Sequence, residues 1–256
     1  MINSKSVNTF LKKISYLLVC TLLAISCGFD NKTTDLITVS ENDIILWNKD
    51  SFPLTMYIDN SFTASEVSSI KEASSLWEAA VEIDVFNSFP SFTPVNYSKT
   101  EDYYYLDDRM AIYKASHQVE SLRPNILALT QLYIKLVKKI DGRQIFHIEH
   151  FDVFMNDFYF NFNDGGGSGE YDFKTIVLHE IGHVFGISGH IDNTIMNGYG
   201  STNIVTHSID PDIKQDLYDI YHIDLYQLPS KVYISHISTT PLTSTTAIVS
   251  FQLLKD

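Results

Sequence analysis

The stretch HEIGHVFGISGHIDNTIM, residues 179–196, decides how the rest of this chain is interpreted. His179 and His183 stand four residues apart in an apolar, helix-prone context, so we expect them on one helix face, about 6 Å apart along the axis. Two imidazoles in that arrangement can bind one zinc ion. Glu180 lies between them but is rotated around the helix, where its carboxylate can activate a water molecule without being a metal ligand.

His190 is the predicted third zinc ligand. In an uninterrupted helix it would lie about 10 Å beyond His183, which is too far for Zn–N bonds of about 2.0–2.1 Å. The chain must therefore turn back between these two histidines. Gly186 can end the helix in the left-handed conformation because it has no Cβ, and Gly189 gives the returning segment further freedom.

This pattern resembles the signature of the metzincin zinc proteases, HExxHxxGxxH. The matching residues are His179, Glu180, His183, Gly186 and His190. Met196 then resembles the methionine of the Met-turn, the apolar floor beneath the metal in that family. Tyr199 resembles a tyrosine that stabilises the oxyanion in some metzincins, although it follows Met196 by three residues rather than two. An ordinary loop aromatic is the alternative for Tyr199.

The resemblance implies a zinc-dependent endopeptidase with one catalytic zinc and a protein or peptide substrate. Three neutral imidazoles leave the ion its full charge and an open position, and Glu180 serves as the general base. The alternative is a non-catalytic, surface-anchored binding or adhesion protein that retains the fold. The intact Glu180 favours the enzyme, because a binding protein needs no carboxylate beside a complete ligand set. An exopeptidase is also compatible with the sequence. The sequence carries no information about the oligomeric state.

Residues 1–26 have the layout of a signal peptide. Three lysines precede an apolar run, residues 14–25, that is too short to span a membrane. The run ends in LAISCG, which resembles a bacterial lipoprotein signal and makes Cys27 the predicted lipidation site. A plain secretory signal is the alternative. We therefore expect an exported protein, lipid-anchored in the cell envelope or at the cell surface, or otherwise secreted.

Cysteine content and charge exclude several other classes. Cys20 and Cys27 are the two cysteines, so the processed chain has no disulfide, thiolate metal site or cysteine nucleophile. It also lacks the pro-segment cysteine that caps the zinc in secreted matrix metalloproteinases, so any latency needs another device. Removing residues 1–26 deletes three lysines and no acid, which changes the net charge from −13 to −16. That charge argues against nucleic acid or an anionic bilayer as an electrostatic partner.

The length of 256 residues, 45% of them hydrophobic, is sufficient for one domain with small appendages. We predict a tether over residues 27–46, a metzincin-like catalytic domain over residues 47–226, and a short β-rich extension over residues 227–256. The resembled fold is α+β. It has a twisted mixed β-sheet, an active-site helix, a Met-turn and a C-terminal helix.

Three helices have clear start signals. Thr63 and Glu66 form a capping box ahead of an amphipathic run with helical spacing. Asp172 can cap the active-site helix. Asp210 and Pro211 suit the N-cap and the first position of a helix within residues 208–221.

Several segments alternate in the manner of strands, namely residues 54–59, 95–99 and 109–115. Asp141-Gly142 separates two longer β-rich runs and predicts an antiparallel hairpin. In the resembled fold, an edge strand in this hairpin pairs with the main chain of the substrate by strand addition. The residues that this implies are Leu127, Ala128, Leu129 and Thr130.

We expect neither a second zinc nor calcium. His147 and His150 are three apart, and in a regular strand they would point to opposite faces. The glycine-rich residues 164–172 place few carboxylates in register for calcium, so a loop leading into the active-site helix is the better interpretation. In the extension, the strand-like residues 231–237 and 246–254 are too short for an independent core. They either pack on the domain or pair with another partner.

Overall fold

A computed structural model describes residues 39, 43–95, 109–140, 142–202, 204–222, 238–241 and 246–255. Within these segments the chain forms a mixed β-sheet with three α-helices, as the α+β prediction requires. None of the helices in these segments is long and apolar enough to cross a membrane. The predicted leader, Cys27, most of the predicted tether and the strand-like residues 96–99 and 231–237 lie outside the described residues.

The strands are β1 Ile44–Trp47, β2 Leu54–Thr55, β3 Tyr57–Asp59, β4 Phe86–Ser88, β5 Ser91–Phe92, β6 Ala111–Lys114, β7 Ile126–Ile140, β8 Arg143–Met155, β9 Phe162–Asn163, β10 Tyr171–Asp172, β11 Tyr199–Gly200, β12 Ser238–Pro241 and β13 Thr246–Lys255. The helices are α1 Ala64–Val81, α2 Phe173–Val184 and α3 Pro211–His222, and a 3-10 turn spans Lys49–Ser51.

The main sheet runs in the order β11-β13-β7-β8-β6-β3-β5, with β1 also paired to β8 and β12 to β13. Strands β8, β6, β3 and β5 are mutually parallel, whereas β7 is antiparallel to both of its neighbours. The predicted hairpin is confirmed as β7 and β8. β8 is longer than its parallel partners, so β1 pairs with its first half and β6 with its second half.

The domain begins earlier than the sequence analysis predicts. Residues 44–46, assigned there to the tether, form β1 together with Trp47, and all four residues are buried. Trp47 Nε1 also donates to the carbonyl of Val184 at 2.8 Å. A run of four apolar residues is too short to show a period, and its burial depends on pairing with a strand distant in sequence.

The predicted strand at residues 54–59 is divided at Met56 into β2 and β3. The alternation itself is confirmed, because Leu54, Met56 and Ile58 are all buried. The division arises because β2 pairs with β4 outside the main sheet, whereas β3 pairs with β5 and β6 within it.

The helices start where their capping residues predict and pack on one another beside the sheet. The capping box of α1 is confirmed: Glu66 N donates to the Thr63 hydroxyl, and the Glu66 carboxylate accepts from Thr63 N at 2.7 Å. Trp77 of α1 is fully buried, and its Nε1 donates to the carbonyl of Leu178 in α2 at 2.8 Å. In α3, the buried Tyr221 hydroxyl donates to the carbonyl of Phe185 at 3.1 Å.

The predicted extension contributes a strand to the domain. β13 pairs with β7 along its length, and its buried side chains Val249, Phe251 and Leu253 belong to the main core. Of the two possibilities left open by the sequence, the structure shows packing on the domain for residues 246–255.

Candidate metal centre

Helix α2 begins at a carboxylate that several donors hold in place. Asp172 Oδ2 accepts from Thr175 N at 2.8 Å and lies 2.7 Å from His207 Nε2, while Oδ1 accepts from Gly165 N at 2.7 Å. Burial alone would raise the pKa of Asp172, but these hydrogen bonds outweigh it and lower the pKa below its usual value. The N-cap prediction is confirmed, and residues 164–172 lead into the helix as expected.

His179 and His183 point their Nε2 atoms at each other across a distance of 3.1 Å. The Nδ1 of His179 lies 2.8 Å from the carbonyl oxygen of Ile195, and that of His183 lies 2.6 Å from the carbonyl oxygen of Ile187. A carbonyl can only accept, so each Nδ1 carries the proton and each Nε2 presents a lone pair. Two lone pairs at this distance repel each other unless a cation lies between them.

His190 joins the other two histidines because the chain turns at Gly186. The φ angle of Gly186 is +96°, and a Cβ there would lie 2.1 Å from the carbonyl oxygen of Ile45 in β1. Only glycine meets both requirements without strain. The His190 ring centre lies 5.3 Å from those of His179 and His183, so the predicted return of the chain is confirmed.

The three histidines fit one zinc ion. Their ligand atoms all lie within 4.8 Å of one another, and nitrogens bound tetrahedrally at about 2.0–2.1 Å would be roughly 3.4 Å apart. Burial lowers the pKa of His179 to about 3 and that of His183 well below its usual value, so both side chains stay in the neutral form that binds metal.

Glu180 follows His179 in α2, is fully buried and contacts β7. Its Oε2 accepts from the Thr130 hydroxyl at 2.5 Å, while Oε1 has no hydrogen-bond partner among the described residues. Burial raises the pKa of Glu180 to about 8, and the hydrogen bond from Thr130 acts in the opposite direction. A buried acceptor without a donor is costly, and a water or substrate N–H in the site would supply that donor.

Met196 packs under the helix that carries His179 and His183. It is fully buried, and a Cβ on Gly182 would lie 2.5 Å from Met196 Sδ. Gly198 likewise packs against His190, where a Cβ would lie 2.9 Å from the ring. Neither glycine is recognisable as a site residue from the sequence, because a glycine in a helix or after a turn predicts close packing but does not identify the neighbour.

Tyr199 lies on the rim of a cleft beside His179. It is 54% exposed, starts β11 and lines this cleft together with Asn197 and Leu253. Its predicted role as oxyanion stabiliser stays a prediction.

The predicted edge strand requires a correction. β7 has β8 on one side and β13 on the other, and Leu129 and Thr130 lie opposite Gln252 and Phe251 of β13. The same segment of β7 includes Leu127 and Ala128. The pairing of β7 with β13 could not be predicted from the alternation of side chains, because alternation marks a segment as a strand but carries no information about a distant partner.

The other candidate ligands lie on β8. His150 is buried with its Nε2 3.3 Å from Asp152 Oδ2, and burial lowers the pKa of His147. A register shift separates the two histidines, so the regular alternation assumed for them is interrupted. That no second zinc binds here stays a prediction, as does the expected lack of calcium at residues 164–172.

No protein-family model matches this chain, and no curated protein matches it. Among solved structures it is similar to high choriolytic enzyme 1, a hatching enzyme zinc-protease from the medaka fish Oryzias latipes, at 15% identity and a TM-score of 0.22. The match covers 60% of this chain and 54% of the other, so this chain spans about half the length of that neighbour. Similarity at this level supports no conclusion about activity, which must rest on the geometry of the three histidines.

Proposed function

We propose that this chain is a zinc-dependent endopeptidase with a metzincin-like fold. One observation supports it above all: His179, His183 and His190 converge, with their ligand atoms within 4.8 Å of one another, and Glu180, which follows His179 in the same helix, is fully buried. The main-chain carbonyls that orient two of the histidines are what a metal site needs to fix the ligand tautomer.

Each residue has a distinct task in peptide hydrolysis. When bound, zinc supplies a Lewis acid that polarises the scissile carbonyl and a positive charge that favours ionised Glu180. Glu180 accepts a proton from the attacking water at its carboxylate and returns it to the leaving amine. Thr130 holds one carboxylate oxygen, which leaves Oε1 for the water. Met196 and Gly182 keep the ligand helix in position from below.

The proposal includes export and a lipid anchor. It is supported by the short apolar run and the LAISCG sequence, with Cys27 as the acylated residue. Metabolic labelling with a fatty-acid analogue should label the wild-type chain and not Cys27→Ser. Equal labelling of both would contradict this part of the proposal and leave the catalytic part unaffected.

The decisive experiment compares wild type with Glu180→Gln in a chain that begins at Lys32, using casein or a broad peptide library. Gln has nearly the same shape as Glu, so the variant should fold and retain zinc. Gln cannot, however, accept the proton from water. The rate of the variant should therefore fall on the order of 10²–10⁴-fold. A chelator should abolish the wild-type activity, and added zinc should restore it.

Two results would contradict the proposal. One is equal cleavage by wild type and Glu180→Gln. The other is no cleavage by the zinc-loaded chain, whether tested with or without residues 246–256. In either case the non-catalytic binding protein becomes the better interpretation.

A further inference from the structure

β13 occupies the side of β7 that is not paired with β8. Its register with β7 runs from Thr246 opposite Lys135 to Leu253 opposite Ala128, and Leu254 pairs with Ile126. The strands are antiparallel, and β8 takes the other side of β7. Strand addition by a substrate would need the same main-chain donors and acceptors. β13 and a substrate strand therefore exclude each other.

β13 also covers the candidate metal centre itself. The ring of Phe251 is stacked on that of His183, with ring centres 4.3 Å apart and planes 8° apart. Phe251 lies opposite Thr130, whose hydroxyl donates to Glu180. The register pair of Phe251 and Thr130 thus places Phe251 against His183 and Thr130 against Glu180. Phe251, His183 and Glu180 are all fully buried while β13 is in place.

A second side chain of β13 lies near the first histidine. Leu253 lines the cleft that also contains His179 and Tyr199. Phe251 and Leu253 are two residues apart and therefore lie on the same face of β13, as alternate side chains of a bound peptide would.

β13 buries apolar side chains on one face and exposes polar side chains on the other. Val249, Phe251 and Leu253 are buried, whereas Gln252 and Lys255 are exposed. On its outer side, within the described residues, β13 pairs with two short strands, β12 of four residues and β11 of two. The long pairing is therefore the one with β7.

We propose that β13 is an internal competitor of the substrate, which keeps the site latent until the strand leaves β7. The inference rests on the proposed function, because it assumes that β7 binds the substrate strand. A peptide can bind only those molecules in which β13 has left β7. The apparent affinity is therefore the intrinsic affinity multiplied by the fraction of such molecules.

A reversible disulfide bond between β7 and β13 gives the sharpest test. Gln131 and Ser250 lie directly opposite each other on β7 and β13, with Gln131 Nε2 3.2 Å from Ser250 Oγ, so the pair Gln131→Cys and Ser250→Cys suits a disulfide. A chain that begins at Lys32 has no other cysteine. Oxidation should lower kcat/KM for a peptide by roughly 10-fold or more, and reductant should restore it. The two single-cysteine variants should not respond to reductant.

A binding measurement provides a readout independent of turnover. A labelled peptide with the sequence TAIVSFQLLK, residues 246–255, is added to Glu180→Gln chains that either end at residue 245 or include β13. Fluorescence anisotropy should show binding to the shortened chain and at least about 10-fold weaker binding to the longer one. The same peptide with aspartate in place of Phe251 should bind more weakly, since a charge would lie on the buried face.

The outcomes separate the two proposals. Equal kcat/KM in the oxidised and reduced double-cysteine chain, with the disulfide verified by mass, overturns the inference and leaves the proposed function standing. The peptide could also bind to the shortened chain while no zinc-loaded form hydrolyses any substrate. That result would support the inference that β13 occupies a peptide-binding side of β7, and it would refute the proposed peptidase activity. If the shortened chain does not fold, the double-cysteine chain alone decides.

Discussion

Replacing Gly186 by alanine should damage the site much more than the same replacement at Gly165. Both glycines have a φ angle of +96°, so both substitutions impose the same left-handed strain on an L-residue. Their surroundings differ. A Cβ at Gly165 would meet nothing within 4 Å, whereas one at Gly186 would lie 2.1 Å from the carbonyl oxygen of Ile45 and 3.1 Å from its carbon.

The magnitudes follow from these two contributions. Left-handed strain costs about 1–2 kcal/mol for a residue with a Cβ, which is the full expectation for Gly165→Ala. Gly186→Ala adds an overpacking contribution of about 1–3 kcal/mol, because the atom that must move belongs to the backbone of β1 rather than to a flexible side chain. The free energy of unfolding should therefore fall by roughly 2–5 kcal/mol for Gly186→Ala.

Urea denaturation monitored by tryptophan fluorescence measures this difference, since Trp47 and Trp77 are both buried in the core. Zinc content after dialysis gives a second readout: Gly186→Ala should lose metal because the turn that returns His190 is displaced, whereas Gly165→Ala should retain it. Unfolding free energies that agree within about 0.5 kcal/mol would refute the argument from close approach.

Three further outcomes are expected. Wild type should bind one zinc per chain by elemental analysis, and His190→Ala should retain little after dialysis; equal zinc in both would refute the ligand assignment. Thr130→Val should destabilise the fold by about 1–3 kcal/mol in urea because the buried Glu180 carboxyl group loses its hydrogen-bond partner, and Thr130→Ser should recover most of the loss. Because the pKa of Asp172 is lowered from 3.8 in the folded state, its ionised form stabilises the fold above that pH, and the contribution is lost as the pH falls through the folded pKa. The stability gap between wild type and Asp172→Asn should therefore shrink as the pH falls below about 3.8, which acid titrations of both chains would show.

Local signals predicted the helices and the convergence of His179, His183 and His190 well, because both depend on residues near in sequence. The Thr63 capping box starts α1, Asp172 caps α2, and Pro211 occupies the first position of α3. The return of His190 was predictable because a metal site constrains distance and Gly186 marks where the chain can turn.

Long-range pairing was not predictable from the sequence. The sequence predicts a tether at residues 44–46 and leaves the packing of residues 246–254 open, yet both segments join the main sheet. The pairing of β7 with β13 depends on a contact between distant segments, and alternation alone is the same for an edge strand and a central one. The hydrogen bond from Thr130 to Glu180 was missed for the same reason.

The carbonyls that hold His179 and His183 belong to the main chain at Ile195 and Ile187. In many metal sites this task falls to a carboxylate side chain, which one codon change can delete. Here no side-chain replacement at residues 187 or 195 removes the acceptor, provided that the loop keeps its course. Saturation mutagenesis should therefore find these two positions tolerant of other apolar residues, while His179 and His183 accept none. The tautomers of these two histidines are thus protected from point mutation by the fold itself.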